Sequence, residues 1–100
     1  MDGILFKFAE DYFWYIQADG PFESWLSAHK EKFEVEISNR HIWVLQLQGP
    51  SSTAIMNELS SGRITNEMVY YSAGYFHLSD QRIFVSRTGY TNELGFDLYC

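Results

Sequence analysis

Apolar and polar positions alternate along most of this chain with a period of two, and two short stretches switch to a helical period. Gly3–Phe8 and Tyr12–Ala18 read as the strands of a hairpin around an Ala9-Glu10-Asp11 turn. Asp19-Gly20-Pro21 then opens a helix, since proline suits the first helical position, where its missing N–H would have no partner anyway. Phe22, Trp25, Leu26 and His29 recur at i, i+3, i+4 and i+7, so they share one face. Glu23 suits the positive end of the helix dipole, and Lys30 and Lys32 suit the other end. Phe33–Ile37 alternates strictly and predicts a strand with one wet face. After a turn at Ser38-Asn39-Arg40, His41–Gln48 predicts a longer central strand.

Gly49-Pro50 opens a second helix, with Ser52, Ile55, Met56 and Leu59 on one face and Ser60-Ser61-Gly62 as its stop. Arg63–Ser72 carries no regular pattern. Ala73–Leu78 and Arg82–Ser86 read as strands around a Ser79-Asp80-Gln81 turn, and Gly95–Tyr99 is the last strand. The order strand, Gly-Pro, helix occurs twice, at Ala18-Asp19-Gly20-Pro21 and at Leu47-Gln48-Gly49-Pro50. Two such strand–helix–strand units predict an α+β fold: a ferredoxin-like antiparallel sheet with two helices on one face and an extra hairpin.

Composition narrows the functional classes. One hundred residues make one domain, 1–100, and 46% hydrophobic content is ample for a core. Eight Phe, seven Tyr and three Trp suggest half-buried strands or a surface that packs on something, such as an exposed aromatic face joining a homo-oligomer. A net charge of −6, with seven scattered basic residues, argues against a nucleic-acid partner. Cys100 is the lone cysteine, so no internal disulfide forms. No apolar run approaches a membrane span and Met1-Asp2-Gly3 is no signal peptide, so the expectation is a cytoplasmic domain without a membrane partner. A strand pattern begins almost at Met1 and an apolar alternation is still running at Cys100. Both suggest a piece of a longer protein.

Few residues promise chemistry. His29, His41 and His77 show no ligand-like spacing, and structural imidazoles are expected. No phosphate-binding glycine loop occurs. Glu10-Asp11, Glu34 and Glu36 read as solvated. Gln46 and Gln48 project from one face of a strand, where they line a ligand pocket or pair with a neighbouring loop. Glu93 stands out, in a turn between apolar strands and close to Tyr90. On spacing alone it pairs with Arg87 or faces water; the sharper alternative is that the turn binds a small planar ligand.

Four collinear segments carry a resemblance. Ser86-Arg87-Thr88-Gly89-Tyr90-Thr91-Asn92-Glu93-Leu94-Gly95-Phe96-Asp97-Leu98-Tyr99 resembles the signature of the glycine-cleavage T-protein (aminomethyltransferase) family, with Asn92 where the family usually has Gly. Leu47-Gln48-Gly49-Pro50-Ser51-Ser52 resembles its helix entry, Tyr71–Phe76 the aromatic segment before its signature, and Asp2–Trp14 its opening hairpin. The aromatic stretch Phe13–Leu26 is similar to the demethylase branches of the family, which act on dimethylsulfoniopropionate or aryl methyl ethers.

The resemblance implies a central fragment of an enzyme that passes a one-carbon unit from an S-, O- or N-linked methyl or aminomethyl donor to tetrahydrofolate. It further implies that Glu93 holds the amidine edge of the pterin, that Tyr90 walls the pocket, and that Asp2 lies by the folate nitrogen that exchanges the carbon. A stand-alone ferredoxin-like interaction or small-ligand module is the alternative, and the isolated chain is expected to turn over nothing.

Overall fold

A computed structural model describes residues 3–17, 20–88 and 93–100. The architecture is α+β and antiparallel, consistent with the ferredoxin-like arrangement expected from the sequence. It divides into two compact units, Met1–Arg40 and His41–Cys100.

In the first unit, β1 (Gly3–Ala9) pairs antiparallel with β2 (Tyr12–Gln17) from Gly3↔Gln17 to Ala9↔Tyr12. Lys7 Nζ reaches Glu10 Oε1 at 3.1 Å beside the turn. Such an exposed pair contributes only about 0–1 kcal/mol. Aromatic packing is the stronger tie: the Phe8 ring lies 4.8 Å from that of Trp14 and 5.6 Å from that of Tyr12. Arg40 returns to the same cluster, donating to Tyr12 Oη at 3.0 Å.

Helix α1 (Phe22–His29) forms where the periodicity places it, with Pro21 one residue earlier than expected, as the N-cap. None of its residues is fully buried. A ladder of rings holds it instead, Tyr15–Phe22 at 4.4 Å, Phe22–Trp25 at 5.6 Å and Trp25–His29 at 4.1 Å. Such pairs contribute roughly 0.5–1.5 kcal/mol each beyond area burial.

Phe33–Ile37, expected as a strand, forms none. Its backbone donors go to local turns, Phe33 N to Lys30 O at 2.7 Å and Val35 N to Phe33 O at 3.0 Å. Alternation describes a surface that fits a sheet; it forms a strand only where a partner ladder is available.

The second unit is a four-stranded sheet in the order β3-β6-β5-β4, made of β3 (Val44–Gln48), β4 (Ala73–Leu78), β5 (Gln81–Ser86) and β6 (Gly95–Tyr99), with α2 (Ser52–Leu59) between β3 and β4 in sequence. All pairings are antiparallel. The core of Met56, Ile64, Leu78, Val85 and Phe96 lies between α2 and one face of this sheet, flanked by Leu47, Phe76, Ile83 and Leu98. Each fully buried side chain of this size stabilises the fold by about 1.5–3 kcal/mol.

Two local departures shape this unit. β3 spans Val44–Gln48 rather than starting at His41; Trp43 still exchanges both backbone hydrogen bonds with Cys100 at 2.9 Å, while His41, with a positive φ of 51°, lies outside the extended run. Helix α2 buries Ser52, Thr53 and Met56, followed by Ser60 beyond its end, and leaves Ile55 and Leu59 exposed. Small hydroxyl side chains let the helix approach closely, and two of them find partners there: Ser52 Oγ donates to Leu94 O at 3.3 Å, and Ser60 Oγ accepts from Ile64 N at 2.9 Å.

Candidate functional site

Three of the four segments that carry the resemblance meet at one end of the four-stranded sheet. Gly49, with φ at 117°, turns the chain from β3 into α2, and its N–H donates to Leu94 O at 2.7 Å, just before β6. Tyr71 N donates to Arg87 O and Arg87 N to Ser72 O, both at 2.9 Å, so the aromatic segment is fastened to the end of β5. The Arg87 guanidinium donates to the carbonyl of Met68 and lies 6.0 Å over the Phe96 ring. The helix entry, the aromatic segment and the signature strands are therefore one backbone-stitched assembly.

The sheet face turned away from the core carries two adjacent rows. The first is aromatic: Tyr75, Phe84 and Tyr99 sit opposite one another on β4, β5 and β6, with ring separations of 5.0 and 5.6 Å, and Arg82 lies 4.1 Å over Tyr75. The second is polar: Ser86, Asp97 and Gln46 occupy matched positions on β5, β6 and β3. Asp97 is 7% exposed, Ser86 fully buried, and Thr88, just past β5, is buried beside them.

Their hydroxyls form a chain. Thr88 Oγ1 donates to Asp97 Oδ2 at 2.7 Å, Ser86 Oγ lies 2.7 Å from Thr88 Oγ1, and Tyr99 Oη lies 3.1 Å from Ser86 Oγ. Burial pushes the Asp97 carboxyl above its ordinary value, while hydrogen bonds from Thr88 and Gln46 pull it back. Burial likewise raises the Tyr99 phenol; Ser86 and Thr88 ease it, and the charge of Asp97 adds to the rise.

Of the residues singled out in the sequence, Glu93 lies exposed immediately before Leu94, at the stitched end of the sheet. Asp2 and Tyr90 lie outside the described residues. Gln46 proves to pair with Asp97 across the β3–β6 ladder. Asp97 itself passes unnoticed in the sequence, because a single acid in Phe96-Asp97-Leu98-Tyr99 reads as the wet face of a strand. The available signal is a matched pair of spacings: hydroxyls at 86 and 88, and an acid and a phenol at 97 and 99, on two strands that must pair. Among the described residues no cluster of His, Cys, Asp or Glu is arranged to hold a metal ion. No helix among them is long and apolar enough to cross a membrane.

An α+β unit whose signature strands enclose a hydroxyl-backed carboxylate is the class of domain that emerges. The family model described as the GCVT N-terminal domain matches residues 1–100, and the chain belongs to that family. Among curated proteins it is similar to an aminomethyltransferase of Alkaliphilus metalliredigens (strain QYMF), 30% identical over 103 residues, covering 98% of this chain and 28% of the relative. The chain thus spans a little over a quarter of that relative's length. No solved structure matches it.

Proposed function

We propose that this chain is a folate-binding subdomain of a longer tetrahydrofolate-dependent methyl- or aminomethyltransferase, and that it supplies part of the pterin site. The observation that carries the reading is the shielded carboxylate of Asp97, held in a hydroxyl chain next to the signature turn. Membership of the family and likeness to an aminomethyltransferase support it.

The donor set fits the ligand. The 2-aminopyrimidinone edge of a pterin offers parallel N–H donors, and a carboxylate accepts two such bonds at once. Hydrogen bonds to a charged acceptor are stronger where water is excluded, which favours Asp97 as the firmer acceptor over Glu93, which is exposed. The family resemblance adds two residues to the proposal, Tyr90 as a wall of the pocket and Asp2 as the acid by the folate nitrogen that exchanges carbon, where a negative charge stabilises positive charge that develops.

When bound, tetrahydrofolate supplies the nucleophilic nitrogen that accepts the one-carbon unit; the chain's own residues bind and orient it. The donor is a small methyl or aminomethyl compound, and the demethylase branch remains part of the proposal. A cytoplasmic setting accords with the reading.

Calorimetric titration of the chain with tetrahydrofolate, alongside Glu93→Gln and Asp97→Asn, tests it. Saturable binding that Asp97→Asn weakens tenfold or more, about 1.4 kcal/mol, is the expected result. A greater loss on Glu93→Gln would move the pterin edge to the exposed acid, and no binding by a folded chain would refute a pterin half-site here.

A further inference from the structure

The direction of every proton in the Asp97 chain can be assigned. An ionised carboxylate only accepts, and each hydroxyl owns one proton. Thr88 spends its proton on Asp97 Oδ2, so it must accept from Ser86. Ser86 has then spent its own proton, so it must accept from Tyr99. Three hydroxyls from β5, β6 and the residue just past β5 point one way, towards one carboxylate, and chains aligned in this manner strengthen each member.

We propose that Thr88 is the positioning residue of the pterin site: its hydroxyl, oriented by Ser86 and Tyr99, fixes one oxygen of Asp97 so that the carboxylate presents its remaining lone pairs to a ligand's N–H edge in one orientation. The assignment rests on the proposed function for its ligand, but not for its geometry. Thr88 itself touches no ligand. Its oxygen is committed to Asp97 and Ser86, each at 2.7 Å, and it is buried. Among the described residues, the groups that bear on Asp97 are Thr88, Gln46 from β3, Ser86 and Tyr99 along the hydroxyl chain, and the Tyr70 phenol, which feels its charge; of these, Thr88 is the hydroxyl that bonds it within the chain.

Two readouts on the full chain test this. Tetrahydrofolate binding should weaken tenfold or more in Thr88→Val, which keeps the shape and removes the proton, and should return to within threefold of the parent in Thr88→Ser. In carbon-13 NMR, the titration midpoint of the Asp97 carboxyl should move upward in Thr88→Val and stay near the parent in Thr88→Ser. Ser86→Ala should shift it in the same direction by less, and this variant decides the matter if Thr88→Val does not fold. A carboxyl resonance unmoved in Thr88→Val, or in Ser86→Ala where that variant must decide, overturns the proposal. If the parent chain binds no tetrahydrofolate, the proposed function fails while the carboxyl titration still judges Thr88 by itself.

Discussion

Arg87 and Met68 are joined across nineteen residues, the guanidinium of one donating to the backbone carbonyl of the other. The bond ties the irregular segment between α2 and β4 to the end of β5, where the signature begins. Hydrogen bonds that involve a charged group contribute about 1.5–3 kcal/mol, and this one is partly shielded. Arg87→Ala is expected to destabilise the chain by about 1–3 kcal/mol in urea unfolding. Amide exchange should quicken at Tyr71 more than at Leu98; equal protection at both would show that the tie is not what orders the segment.

Gly95 is required by close approach. A Cβ added there would stand 2.7 Å from Leu47 O and 3.0 Å from Gln48 Cβ, on the neighbouring strand β3. Since the nearest obstacle is backbone, Gly95→Ala must push β3 from β6, at a cost of about 1–3 kcal/mol. The change should be seen as lost exchange protection at Gly49 N–H, whose acceptor is Leu94 O. An unchanged urea midpoint would show that the strands can shift without penalty.

Met56 fills the space between α2 and the sheet and is fully buried. Truncation to alanine removes buried apolar groups and leaves a cavity, so Met56→Ala should lower stability by about 2–5 kcal/mol. Ile55→Ala, on the exposed side of the same helix, should cost far less. Equal losses at the two positions would mean the helix buries its other stripe in solution.

Asp97 gives stability a particular dependence on pH. Its folded pKa lies above the ordinary value of 3.8, so the native state holds this proton more tightly than the unfolded chain does. As pH rises from 3.8 through the folded value, the unfolded state releases its proton first and this residue's contribution to stability falls. Subtracting the urea stability of Asp97→Asn from that of the parent should therefore give a difference that declines over this window and flattens above it. Parallel curves throughout would sink the assignment.

Most elements were legible from the sequence, because local pattern and punctuation agree there. Helix α1 ends where the Phe22, Trp25, Leu26, His29 face ends, and α2 follows Gly49-Pro50 as turn chemistry requires. Phe33–Ile37 fails for want of a partner strand, which is a property of the whole unit and not of five residues. The buried side of α2 was misjudged because hydrophobicity ranks Ile55 and Leu59 above Thr53 and Ser60, whereas close packing favours the smaller pair, of which Ser60 also finds a hydrogen-bond partner. Asp97 was hidden for a related reason. Its surroundings come from Ser86, Thr88 and Gln46, and only strand register brings these to it.

That register also makes the length of the signature segment a measuring device. Ser86 faces Asp97 and Phe84 faces Tyr99, so the number of residues from one strand to the next decides which β6 side chains share a face with the β5 hydroxyls. Because side chains alternate, adding or deleting one residue between them would turn Asp97 towards the apolar core and bring Phe96 and Leu98 to the polar row. Relatives that keep this carboxylate should therefore accept changes of residue in the connection far more readily than changes in its count.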